Sequence, residues 1–254
     1  MSTEVIPSYL KTLGLPGIAR SYEKLAAQAR RDQCGYEEFL QSLLQEELQN
    51  RKVSRVRTLL KSARFPLLKQ LDTFEFDEIP SLNRQVVKEL ARNHYIPAKE
   101  NVLICGNSGT GKTHVATALG ISACEAGYRV RFTTTQALAN DLLAAREEHS
   151  LNRYEKQWSR IDLAIIDELG YLPFDATTAQ LLFQFISARY ELGSIMITTN
   201  LEFAQWTEVF GDERMTIALL DRLTHRAHIL LMNGESYRFK NNRRASQGGD
   251  APSA

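Results

Sequence analysis

Apolar positions along this chain change period once, near residue 100, and the change divides it into two kinds of structure. Before that point they recur every three or four places: Leu40, Leu43, Leu44 and Leu48, then Val53, Val56, Leu59, Leu60 and Ala63. Such spacing lines one face of a helix and predicts helices over 17–31 and 36–64. From Phe65-Pro66 to Ile79-Pro80 the periodicity gives way to a proline-punctuated linker. Ser81 stands as the expected N-cap of a short helix that ends near Arg92, before Pro97. From Asn101 onward short apolar runs alternate with amphipathic stretches. Strands are predicted over 101–105, 128–132, 162–167, 194–199 and 227–232. Between them helices are expected over 114–126, 136–158 and 176–190, with two short ones over 203–210 and 214–224. Gly193, before a strand, fits a C′ cap. The alternation describes a three-layer α/β core with a mostly parallel sheet, preceded by a small all-helical domain. Trp158, Trp206, Phe183 and Phe185 are most simply core residues.

Composition narrows the class. Hydrophobic content of 43% and charged content of 24% are those of an ordinary globular protein. The net charge of +1 gives no global attraction for a polyanion, so any such surface must be local. Cys34, Cys105 and Cys124 lie far apart, without a Cys-x-x-Cys pair, which argues against a disulfide framework or zinc site and for a reducing compartment. The histidines (94, 114, 149, 225, 228) show no metal-ligand spacing. Residues 1–20 include Glu4, Lys11 and Arg20 and lack the apolar core of a signal peptide. Nowhere do about 18 apolar residues run together, so no membrane partner is expected. A soluble, cytoplasmic protein is the expectation.

The candidate chemistry centres on Gly106-Asn107-Ser108-Gly109-Thr110-Gly111-Lys112-Thr113, which fits G-x-x-x-x-G-K-[ST] without a mismatch. It follows an apolar strand and precedes a helix, the context in which this motif holds a nucleoside triphosphate. Glycines let successive N–H groups turn inward at phosphate oxygens, and the helix N-terminus adds partial positive charge. Lys112 is expected to reach the β- and γ-phosphates, and the Thr113 hydroxyl to bind Mg²⁺.

Leu163-Ala164-Ile165-Ile166-Asp167-Glu168 ends a buried strand in two acids. The carboxyl edge of a parallel sheet is where ligands bind. Asp167 would support Mg²⁺, which takes few carboxylates and several waters. Glu168 is then placed to orient or deprotonate water, and a carboxylate in both positions favours hydrolysis over transfer. Ile197-Thr198-Thr199-Asn200 ends another strand in an amide. If that strand lies between the first and third, Asn200 sits between the γ-phosphate and Glu168 and could position the water.

On these residues the chain resembles the AAA+ ATPases, and within them the small DnaC/IstB branch, on its IstB side. The resemblance spans nearly the full length. It also includes Asp167-Glu168-Leu169-Gly170-Tyr171-Leu172-Pro173, Asp221-Arg222-Leu223 and Gly234-Glu235-Ser236-Tyr237-Arg238. It implies ATP-dependent helpers of insertion-sequence transposition, with a helical lid reduced or absent. It implies homo-oligomers with ATP between subunits, completed by an arginine from the neighbour. Arg222 is the candidate for that arginine finger, and Arg238 matches a second, phosphate-sensing arginine; Arg226 is close enough to compete for the assignment. The expected partition is 1–68 (helical, DNA- or partner-binding), 69–98 (linker and short helix), 99–244 (ATPase) and 245–254 (a small, polar tail).

A nucleic-acid surface is expected on the second helix. Arg51, Lys52, Arg55, Arg57, Lys61, Arg64 and Lys69 occur with no acid among them. Each phosphate they neutralise would release counterions, and nothing in the run reads bases. Arg153 and Lys156 fall in a segment that related initiators and loaders use near DNA. The resulting expectation is an ATPase that assembles on double-stranded DNA with ATP and Mg²⁺ and assists a cognate transposase. A DnaC-type helicase loader stands as the alternative. A small-molecule kinase and a DNA scaffold that barely turns ATP over are more distant ones.

Overall fold

A computed structural model describes residues 5–171, 173–234 and Ser236. The chain divides into two compact units, Met1–Thr58 and Leu59–Ala254. The first is helical: α1 (Val5–Thr12), α2 (Pro16–Arg31) and α3 (Tyr36–Ala63), whose last turn belongs to the second unit. Pro16 opens α2 at a position where a missing N–H costs nothing. Leu15 supplies no side-chain cap. Glu47 does so from α3, its Oε2 accepting the N–H groups of Gly17 at 2.7 Å and Ile18 at 3.2 Å. A Cβ on Gly17 would lie 2.9 Å from the Glu47 backbone, so only glycine lets the two helices approach this closely.

The leucine stripe behaves differently from its periodicity. Glu47 is buried against α2, whereas Leu40, Leu44 and Leu48 are exposed. Contact with α2 is made by Glu47 and Asn50, which lie outside that stripe, and of its leucines only Leu43 is half-buried.

The second unit holds α4 (Arg84–Leu90), β1 (Asn101–Cys105), α5 (Lys112–Glu125), β2 (Val130–Thr134), α6 (Thr135–Glu147) and α7 (Leu151–Trp158). There follow β3 (Leu163–Leu169), α8 (Ala176–Arg189), β4 (Ser194–Thr199), α9 (Trp206–Phe210), α10 (Glu213–Thr224) and β5 (Ala227–Leu231). All strand pairs are parallel, in the order β2-β3-β4-β1-β5. A parallel sheet covered on both faces needs continuous apolar strands; β1 and β4 are buried at every residue. Val102, Ile104, Phe132, Ile165 and Met196 face a core shared with α5 and the segment around Ile79 to Ile96. Leu103, Ala164, Ile166, Ile195 and Ile197 face a second core with Trp158, Phe185, Trp206 and Phe210. Phe183 is only partly buried, at that core's margin. The fold is thus the three-layer α/β architecture expected, with a five-stranded sheet.

Local chemistry shifts several boundaries. Asn83, not Ser81, caps α4, accepting from the Gln85 and Val86 N–H groups; Ser81 instead exchanges two hydrogen bonds with the Asn233 backbone. The helical material expected over 136–158 forms two helices, separated where His149 takes φ 54°. Gly193 is not the left-handed residue after α8; Glu191 is, at φ 61°. Gly193 is required for space, since a Cβ there would meet Arg189 Nη2 at 2.8 Å and the Ile161 carbonyl at 3.1 Å. Helix α5 starts two residues before His114, because Gly111, at φ 91°, turns the chain into it. The Arg238, Arg243 and Arg244 positions and the reduced-lid reading lie outside the described residues.

Candidate nucleotide site

The phosphate loop joins β1 to α5 and is built on three left-handed or glycine-only turns: Gly106 at φ 152°, Gly109 at φ 80° and Gly111 at φ 91°. Side chains at these positions would strike their surroundings. A Cβ on Gly106 would overlap the Met232 carbonyl, one on Gly109 the Ser236 hydroxyl, and one on Gly111 would lie 2.8 Å from the Phe74 ring. Thr110 is buried and its hydroxyl donates to the Asn107 carbonyl at 2.9 Å, bracing the loop internally. The Asn107 amide reaches the Gly234 carbonyl at 3.4 Å. Ser108 is exposed at the loop's tip. No side chain caps the N-terminus of α5, which leaves its first N–H groups and their partial charge for an anion. Lys112 folds back on the loop, Nζ donating to the carbonyls of Gly106 and Asn107 at 2.7 Å each.

Strand order decides what faces this loop. Because β4 lies between β1 and β3, the ends of all three reach the same sheet edge, with Asn200 just after β4. Asn200 is exposed there. The Thr113 hydroxyl reaches across to Asp167, 3.1 Å from Oδ1 and 3.0 Å from Oδ2. Asp167 is buried. That burial pushes its carboxyl above the ordinary range, against the pull of the Thr198 and Thr113 hydroxyls and the Lys112 charge. Glu168, next in the strand, is exposed between two buried neighbours and adopts φ 61°. A non-glycine residue in that region stores about 1–2 kcal/mol, so its surroundings must hold it there.

A hydroxyl and a single carboxylate, side by side at the loop, are hard oxygen donors suited to Mg²⁺, which keeps most of its waters. Thr198 was not singled out by sequence, yet its hydroxyl donates to Asp167 Oδ1 and accepts the Glu168 N–H at 2.9 Å. Two threonines directly after the apolar run Ile195-Met196-Ile197 are the available signal. The linker contributes Phe74, packed edge-on to His114 at 5.2 Å and to Phe76 at 4.9 Å. His114 Nε2 lies 2.9 Å from the Gln70 carbonyl, anchoring the linker to α5.

The remaining candidates are not at this edge by any described contact. Arg222, in the last turn of α10, donates to the Ala218 carbonyl at 2.7 Å and stacks 5.4 Å from the Phe183 ring centre. Lys52, Arg55, Arg57, Lys61, Arg64 and Lys69 are exposed, as are Arg153 and Lys156 on α7. Arg51 is exposed too, with its Nε 2.8 Å from Glu47 and an Nη2 bond of 3.0 Å to the Gly14 carbonyl.

Comparison with known proteins agrees with this geometry. The family model described as IstB-like ATP binding protein matches residues 8–245. A Pseudomonas aeruginosa protein, named as the candidate ATP-binding protein of insertion sequence IS21, is 41% identical over 95% of this chain and 90% of its own. A Geobacillus stearothermophilus counterpart from insertion sequence IS5376 is 38% identical over 94% of this chain and 96% of its own. Among solved structures, AMPPCP-bound DnaA from Aquifex aeolicus superposes with a TM-score of 0.57 at 21% identity, covering 75% of this chain and 58% of that one. The DnaC helicase loader gives 0.51 at 21% identity, over 58% and 86%. These two likenesses show the fold.

Proposed function

The chain belongs to the family of IstB-like ATP-binding proteins, and from that premise we propose that it is a Mg²⁺-dependent ATPase that assembles on duplex DNA and assists a transposase. The observation that carries the reading is the meeting of Thr113 and Asp167 beside the phosphate loop, at 3.0 and 3.1 Å. That pairing gives the loop an oxygen-lined place for a metal, which a mere glycine turn would lack.

In this reading residues 106–113 wrap the phosphates with backbone N–H groups, and Lys112 exchanges its two carbonyl partners for phosphate oxygens. Thr113 and Asp167 would hold Mg²⁺, which when bound neutralises charge on the phosphate oxygens. Glu168 accepts a proton from the attacking water, and Asn200 orients that water without adding charge. The linker around Phe74, Phe76 and Pro80 is the candidate wall for the adenine. Arg222 acts in trans on a neighbour's site, and Arg238 adds a second contact. Residues 1–68 form the DNA- and partner-binding part, 69–98 the linker and 99–244 the ATPase. The exposed basic residues of α3 (with Lys69), and Arg153 and Lys156 of α7, engage phosphates without reading bases. No helix among the described residues is long and apolar enough to cross a membrane, which fits a cytoplasmic site of action.

The experiment is sedimentation of the protein with long duplex DNA in ATP and in ADP. A large complex in ATP that dissolves in ADP, and that Lys112→Ala abolishes, supports the proposal. A protein that stays small and ignores duplex DNA in both nucleotides refutes it and directs the search to helicase rings.

A further inference from the structure

One hydroxyl, that of Thr198, is hydrogen-bonded to both acidic residues near the end of β3. Strands β3 and β4 pair in register from Leu163 opposite Ser194 to Ile166 opposite Ile197, and pairing resumes at Leu169 opposite Thr199. Three steps on β3 therefore answer two on β4, a β-bulge that contains Asp167 and Glu168. The bulge takes the Glu168 N–H out of the ladder, and Thr198 Oγ1 accepts it at 2.9 Å. The same oxygen donates its proton to Asp167 Oδ1. A hydroxyl has one proton and two lone pairs, so both bonds are held at once. Thr199 closes the other end of the bulge, donating to the Leu169 carbonyl at 2.8 Å and accepting from the Leu201 N–H at 3.1 Å. Asp167, Thr198 and Thr199 are all buried, so water is a poor substitute for these bonds.

We propose that Thr198 is a positioning residue for ATP hydrolysis: its hydroxyl orients the Asp167 carboxylate toward the metal position and holds the Glu168 backbone so that its side chain faces the phosphate loop's edge. The inference rests on the ATPase reading above. Without the hydroxyl, the Glu168 N–H loses its partner and Asp167 Oδ1 is left with the Thr113 hydroxyl alone. The left-handed Glu168 backbone then loses what offsets its strain. The effect falls on aim rather than on nucleotide capture, because the phosphate loop itself is untouched.

The test uses full-length Thr198→Val, which keeps the shape and removes the hydroxyl, with Thr198→Ser as rescue. Measured are steady-state hydrolysis, the affinity of a fluorescent ADP analogue with and without Mg²⁺, and exchange of the Glu168 amide with solvent. For Thr198→Val we expect unchanged affinity without Mg²⁺, a smaller gain on adding it, and faster exchange at Glu168. Hydrolysis should fall in kcat by about a hundredfold, the scale of a small misplacement in an active site, with KM near wild type. Thr198→Ser should restore most of each. If Thr198→Val fails to fold, Thr198→Cys, a weaker donor of similar size, takes its place. Unchanged Mg²⁺ response and kcat in the valine variant overturn the proposal. Equal loss in valine and serine variants also overturns it, since packing rather than the hydroxyl would then be responsible. A wild-type protein that hydrolyses no ATP sinks the underlying reading; the exchange and Mg²⁺ arms still decide whether the hydroxyl holds the two carboxylates.

Discussion

The Thr113 hydroxyl bridges both carboxylate oxygens of Asp167, at 3.1 and 3.0 Å, across 54 residues of sequence. The pairing exists because β4 inserts between β1 and β3 and brings their carboxyl ends to one edge. One proton shared between two oxygens is a single bond's worth of attraction, so the pair is easily reopened to admit a cation.

That geometry sets the first expectation. Thr113→Ala should lower the Mg²⁺-dependent part of nucleotide affinity by at least about tenfold, the effect seen when groups around a metal are removed. Thr113→Ser should not, since the hydroxyl remains. Titration of nucleotide with and without Mg²⁺ checks this. Equal Mg²⁺ responses in wild type and Thr113→Ala would mean that the pair is only structural.

Glu168 is exposed and held at φ 61° beside a buried aspartate. Glutamine copies its size and tolerates the same backbone, so Glu168→Gln should fold and bind ATP normally. Hydrolysis should fall by about 10²–10⁴-fold, the worth of a positioned base. Complexes on duplex DNA formed in ATP should consequently outlive those of wild type, which light scattering would follow. Normal turnover in this variant removes Glu168 from the chemistry.

Much of this site was legible in sequence because its parts are local. A glycine loop between strand and helix is one contiguous string, and Asp167-Glu168 terminates a contiguous apolar run. The position of Asn200 depended on strand order, which sequence could state only as a condition and which the fold supplies. Thr198 was overlooked for a physical reason: its two bonds arise from a bulge, and a slip of one residue between paired strands leaves no periodic trace. The linker's Phe74 against Gly111 is likewise a long-range contact. In the first unit periodicity located α3 but not its packing, because helical spacing marks a shared face and not its partner. The buried face of α3 carries Glu47, and a carboxylate capping another helix is invisible to an apolar pattern.

Glu47 makes the first unit acid-sensitive. Burial alone pushes its carboxyl up. The bond from Arg51 and the N–H groups of Ile18 and Gly17 outweigh that, and the net position is below the ordinary 4.5. A carboxyl lowered by folding stabilises above its unfolded value and loses that contribution as pH falls through the folded value. We therefore expect the Gly17 and Ile18 amides to lose protection from exchange below a pH of about 4.5. Glu47→Ala should show the loss at neutral pH, at about 1–3 kcal/mol for an N-terminus left uncapped in a buried contact. Identical pH profiles for wild type and Glu47→Ala would show that the cap contributes nothing.

Arg222 tests the assembly itself. Its partners among the described residues are one carbonyl of its own helix and the ring of half-buried Phe183, contacts worth about 0.5–1 kcal/mol at such a site. Removing the side chain should hardly disturb the fold or ATP binding, so Arg222→Ala should stay folded, bind nucleotide and fail to hydrolyse it. Lys112→Ala fails for the opposite reason, keeping its arginine and losing its phosphate loop. If ATP lies between subunits, mixing the two inactive proteins creates interfaces in which a sound loop meets a sound arginine. Random mixing in equal amounts makes about a quarter of heterologous interfaces of that kind, and hydrolysis should reappear in proportion. An arginine acting within its own subunit gives no recovery at any ratio. The same mixture made with Arg226→Ala or Arg238→Ala identifies the residue: whichever variant is inactive alone and rescued by Lys112→Ala supplies the arginine in trans.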